Sequence, residues 1–102
     1  MIIDNITAND SDKGQIRITS ENKSSFPRES IGETITHDLL FQHEGKEYPA
    51  KYRIGSRDGR SRSGGLKLDR ELYQNVLRIR VGTRLEIRKV RQNEYSISRM
   101  PT

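Results

Sequence analysis

Lys46-Glu47-Tyr48-Pro49-Ala50-Lys51-Tyr52-Arg53-Ile54 alternates without a fault, with Tyr48, Ala50, Tyr52 and Ile54 on one side and Glu47, Pro49, Lys51 and Arg53 on the other. A period of two marks a half-buried strand, because successive side chains leave a pleated backbone on opposite faces. One face of this strand therefore belongs to a core and the other is wet and basic. Pro49 has no N–H to give to a ladder, which predicts an edge strand or a bulge at that position. Upstream, Glu44-Gly45 reads as a turn, and before it Ile35, His37, Leu39 and Phe41 share one face of a second strand, the beat blurred only by Leu40.

Working outward, Ile16 and Ile18 alternate with Arg17 in a short strand that starts after Gly14. On the other side, Leu66 and Leu68 re-enter the core. Asp69 then offers an N-cap, and Leu72, Tyr73, Val76 and Leu77 recur at helical spacing, predicting one short helix near residues 70–76. Leu77, Ile79 and Val81 alternate again; after the Gly82-Thr83 turn, Leu85, Ile87 and Val90 with Tyr95 and Ile97 supply two more strand segments. Repeated short strands between turn signals predict a mostly antiparallel barrel or sandwich, because closure removes exposed edges. Residues 1–13 sustain no hydrophobic period and read as a loose leader, residues 14–97 as one domain, and residues 98–102 as a tail.

The chain has 102 residues, of which 30% are hydrophobic and 32% charged, which calls for one compact core under a large polar surface. Without cysteine there is no disulfide, thiolate nucleophile or cysteine-type zinc site. No apolar run is long enough to span a bilayer, and the first residues lack the features of a secretion signal, so a soluble cytosolic protein with no membrane partner is expected. The charge is polarised. Residues 1–48 carry 5 Lys and Arg against 9 Asp and Glu, net −4, whereas residues 49–102 carry 14 against 5, net +9, giving the overall +5. Clustered cations of this kind displace counterions from a phosphate backbone, which points to a nucleic-acid partner.

Asp38, with Glu44-Gly45-Lys46 downstream, formally matches the acid and acid-x-lysine pattern of metal-dependent nucleases. Glu-Gly-Lys is equally the composition of a solvated hairpin turn, and a motif needs its structural context. The Gly59-to-Gly65 stretch fails as a phosphate loop because position 65 is glycine where lysine is required. His37 and His43 are six apart, the wrong spacing for a helical metal pair. No catalytic residue, metal site or cofactor is predicted.

Two polar segments carry the functional reading. In residues 55–65, Arg57, Arg60 and Arg62 are interleaved with Ser61 and Asp58; Arg can bridge guanine O6 and N7, and Asp can accept from cytosine N4. Residues 20–25 place Ser20, Glu21, Asn22, Lys23 and Ser24 on one loop pinned by Phe26-Pro27, and Asn can pair with adenine. Each segment alone also fits an ordinary polar loop. As two arms they predict base reading, with Arg17, Arg28, Lys51 and Arg53 holding phosphates.

Gly14-Gln15-Ile16-Arg17-Ile18 followed by Lys23 and Phe26-Pro27, and later Arg62-Ser63-Gly64-Gly65-Leu66-Lys67-Leu68 leading into a short helix, together resemble the B-three-like pseudobarrel DNA-recognition domains. These occur in plant transcription factors and, on the branch the chain resembles more, in restriction endonucleases of the EcoRII and BfiI type. The resemblance covers roughly residues 14–97. It implies a mostly β, seven-stranded open pseudobarrel, largely antiparallel, with one or two short helices. It also implies two arms clasping the major groove of double-stranded DNA, with any cleavage left to a fused or associated nuclease domain. The competing readings are an RNA-binding or ribosome-associated basic β protein, a stand-alone nuclease using Asp38, Glu44 and Lys46, and a module for an acidic protein partner.

Overall fold

In the computed structural model the long alternating stretches form a ten-pair antiparallel hairpin. Its strands are β3 (Thr34–His43) and β4 (Lys46–Arg57), in register from Thr34 opposite Gly55 to His43 opposite Lys46. The structure describes residues 1–19, 21–27, 34–57, 60–61 and 64–101, with residues 23, 34, 55–57 and 60–61 described by their backbone alone. Glu44 and Gly45 close the hairpin with φ of 50° and 78°, the left-handed pair that matches strand twist in a two-residue turn.

Around this hairpin stand β1 (Ile2–Ile3), β2 (Gln15–Ile18), β6 (Gly64–Leu68), β7 (Leu85–Arg91) and β8 (Glu94–Arg99). The sheet order is β1-β7-β8-β3-β4-β6-β2, with the two-residue β5 (Arg60–Ser61) pairing with β4 outside that path. β3 and β8 run parallel and all other pairs antiparallel, giving a mixed, mostly β open half-barrel with two short helices, consistent with the open pseudobarrel expected from the resemblance. The inward positions fill the core: Ile16, Ile18, Phe41, Tyr52, Leu66, Leu85, Ile87, Tyr95 and Ile97 are all buried. Burying one such side chain stabilises the fold by about 1.5–3 kcal/mol.

Pro49 lies in a strand that is central rather than at an edge, yet the proline is accommodated. The Leu40 N–H donates to Asn93 O at 2.9 Å, toward β8, so Leu40 and Pro49 are opposite without exchanging hydrogen bonds. The nitrogen of Pro49 therefore faces the β6 side, where pairing stops at Ala50 opposite Leu68. No ladder bond is lost.

Three expectations are corrected. Residues 1–13 are part of the domain: β1 pairs with β7, Ile3 and Ile6 are buried, and α1 (Ala8–Lys13) follows. Thr7 caps that helix reciprocally, its Oγ1 accepting from Asp10 N at 3.1 Å while the Asp10 carboxylate accepts from Thr7 N at 3.4 Å. Gly14 ends the helix at φ 66°. The signal was present as Thr7-x-x-Asp10, a capping box that a search for hydrophobic period passes over. The tail is shortened likewise, since β8 runs to Arg99 and Met100 N donates to Arg84 O.

Residues 77–81 do not form the predicted strand. The chain turns through one π-helical turn (Leu72–Val76), whose end is closed by Leu77 N to Leu72 O and Ile79 N to Tyr73 O, with Arg78 in the left-handed region at φ 49°. Those amides are committed to the helix end. Leu77 and Ile79 still reach the core, while Val81 is exposed.

Candidate nucleic-acid interface

Both arms grow from one end of the sheet. β2 finishes with Ile18 opposite Gly64, Gly65 lies opposite both Arg17 and Arg53, and β4 continues beyond that level to Arg57. β3 also begins there, Thr34 facing Gly55, so the first arm leaves and the chain returns at the same end. Antiparallel register alone imposes this common root.

The first arm is a compact double turn. Asn22 N donates to Thr19 O at 3.0 Å and Ser25 N to Asn22 O at 3.3 Å, and a 3-10 turn spans Lys23–Ser25. Phe26 is its anchor: the ring is buried and stacks on Tyr52 at 4.9 Å and on Tyr95 at 4.8 Å between centroids. The Tyr95 hydroxyl donates to Ser25 O at 2.7 Å, tying the arm's last turn to the core. Burial pushes the pKa of that phenol up, keeping it a neutral donor. Glu21 and Ser24 are exposed and Asn22 is half-buried. Of Lys23 only the backbone is described, and Ser20 and Arg28 lie outside the described residues.

The second arm is more regular than its composition suggests. β4 and β5 continue as a ribbon, Ser56 opposite Ser61 and Arg57 opposite Arg60, with two residues between them. Those two, Asp58 and Gly59, and Arg62 beyond, lie outside the described residues. The sequence signal for a hairpin was Asp-Gly between the two stretches. At the base of the ribbon Gly64 packs against Tyr52: a Cβ there would stand 2.6 Å from the Tyr52 Cζ. Tyr52 thus touches the roots of both arms, through Phe26 on one side and Gly64 on the other.

Of the residues expected to hold phosphates, Arg17 and Arg53 are exposed and flank Gly65 in one cross-strand row. Their guanidinium groups have no carboxylate partner among the described residues. Lys51 is exposed too, but its Nζ lies 3.0 Å from Asp38 Oδ1 on the facing position of β3. Such an exposed pair contributes about 0–1 kcal/mol, enough to compete with a weak phosphate contact.

The nuclease-like residues do not meet. Asp38 pairs with Lys51 in mid-strand, whereas Glu44 and Lys46 sit at the hairpin end, about 20 Å away at the rise of a strand. No cluster of three metal-ligating side chains occurs among the described residues. His43 Nδ1 lies 2.8 Å from Ile97 O, a cross-strand structural contact. No helix among them is long and apolar enough to cross a membrane.

All six aromatic side chains, Phe26, Phe41, Tyr48, Tyr52, Tyr73 and Tyr95, are buried. The surface therefore offers no aromatic platform on which an unpaired base can stack. In comparisons with protein-family models, curated proteins and solved structures, the chain matches none.

Proposed function

We propose that this domain is a non-catalytic module that recognises double-stranded DNA in a sequence-specific way, as its resemblance to B-three-like domains implies. The observation that supports the reading is the common root of the two arms, from which both can reach one ligand. In this reading Arg57, Arg60, Arg62 and Asp58 probe base edges from the ribbon. Ser20, Glu21, Asn22, Lys23 and Ser24 do so from the first arm, and Ser61 contacts phosphate or base. Arg17, Arg28 and Arg53 hold phosphates, with Lys51 contributing when it leaves Asp38. Any cleavage belongs to a fused or associated nuclease domain of a restriction-type system in the cytoplasm. The burial of every aromatic ring favours a duplex over single-stranded RNA.

Selection from a randomised duplex pool tests this directly, and a consensus motif is expected. With about six phosphates neutralised, log affinity falls with log salt at a slope of roughly −5. Arg60→Ala or Arg62→Ala costs about 1–3 kcal/mol and relaxes selectivity, whereas Arg53→Ala weakens all duplexes alike. Absence of enrichment, or equal losses for every variant on every duplex, removes base reading.

A further inference from the structure

Three clefts adjoin between the outer face of the sheet and the π-helical turn. The first is an open groove of about 590 Å³ across β3, β4 and β6, floored by Leu40 and Pro49 and bordered by Lys51 and Lys67. The second, lined by Lys13, Lys67, Arg70, Tyr73 and Gln74, shares Lys67 with the first. The third, lined by Ser11, Tyr73, Gln74, Arg78 and Arg80, shares Tyr73 and Gln74 with the second. Successive clefts share lining residues, so cations recur from mid-sheet to the π-helical turn.

The acids along this path are mostly engaged. Asp38 holds Lys51, Glu94 pairs with Arg91 at 2.8 Å, and Asp69 accepts from the amides of Glu71 and Leu72. Asp12 remains beside Lys13 in the second cleft. By contrast Lys13, Lys67, Arg70, Arg78 and Arg80 have no carboxylate partner among the described residues. Arg78 is held at φ 49°, and the guanidinium of Arg99 secures that turn by donating to Leu77 O and Arg78 O, both at 3.3 Å. The path also continues the arms: Lys51 and Lys67 face each other one row, about 7 Å, from the Arg53-Gly65-Arg17 row.

We infer that this path is a phosphate track, which takes the backbone of the same duplex where it leaves the arms. Lys67, Lys13, Arg70, Arg78 and Arg80 are its contacts. The inference rests on the duplex-binding reading above. The molecule is 38 Å long, a length spanned by about 11 base pairs at 3.4 Å each. A duplex too short to leave the arms therefore misses the track.

The test compares the full chain with Arg78→Gln/Arg80→Gln, both exposed positions past the π-helical turn, on duplexes of about 8 and about 25 base pairs carrying the selected motif. The variant is expected to match wild type on the short duplex. On the long one it loses affinity by about tenfold at low salt, and its salt slope is shallower by about 2. Lys13→Gln/Arg70→Gln provides an independent pair with the same expectation. An unchanged slope on the long duplex, or an equal loss on both lengths, overturns the track. Failure of the arm reading looks different: selection then returns no motif and Arg17→Gln/Arg53→Gln changes nothing, with random-sequence duplexes of the two lengths still reporting on the track.

Discussion

Gly64→Ala is expected to destabilise the domain and loosen both arms together. The new Cβ would meet the Tyr52 ring, 2.6 Å from Cζ, and Tyr52 is fully buried with Phe26 stacked against it. The ring has little room to move aside, because interiors are close-packed and β6 is held between β2 and β4. Overpacking of this kind costs about 1–3 kcal/mol, a large share of the roughly 5–15 kcal/mol that holds a domain together. Near this size about 1 kcal/mol lowers Tm by about 4–8 °C, so a fall of about 10 °C is central to the range. Urea titration followed by far-ultraviolet circular dichroism measures the change in midpoint at constant m-value. A double-mutant cycle with Tyr52→Leu, which removes the facing ring, should return a coupling of at least about 1 kcal/mol. If Gly64→Ala lies within about 0.5 kcal/mol of wild type, or the two changes simply add, Tyr52 does not tie the roots of the two arms together.

The Tyr73 phenol, whose pKa is pushed up to about 12 by burial and then by the charge of Asp10, should ionise well after an ordinary tyrosine. A raised folded-state pKa favours the protonated phenol, so its stabilisation is whole below about pH 10 and is lost as pH rises toward 12. Phenolate absorbance and urea midpoints across that window should move together, and Tyr73→Phe should remove the delayed phenolate step. Thr7→Ala deletes the helix cap and is expected to cost about 1 kcal/mol by chemical denaturation; no change in midpoint would mean that the Thr7 cap contributes nothing to the domain. Asp38→Asn frees Lys51 and should raise affinity for every duplex alike, by less than tenfold, with stability altered by under about 1 kcal/mol; titration against two unrelated duplexes checks it.

The first arm was half legible. Its polar composition and its anchor Phe26 stand in the sequence, but the rings that receive the anchor, Tyr52 and Tyr95, come from positions 26 and 69 residues further on. Nothing local announces such a stack. Lys51 shows the same limit: as a basic residue on a wet strand face it reads as a phosphate contact, and only the register that sets Asp38 opposite reveals its partner. In the second arm the glycines and serines hid a ribbon that Asp58-Gly59 could have suggested. Residues 1–13 show no hydrophobic period because α1 is only six residues long and the segment is held by a capping box and the buried Ile3 and Ile6.

By itself the sequence determined the strands of the central hairpin, the β class of the fold and the polarised charge. Alternation and composition are local properties, and a strand's two faces are fixed as soon as its residues are written down. The tertiary structure decided which strands pair, why a proline can sit in a central one, and that β2 and β4 end where β6 begins, at one end of the sheet. Partner choice and register are relations between distant segments. They are settled by closing a shared core around Tyr52, Phe41 and Tyr95, where every inward side chain must find room at once.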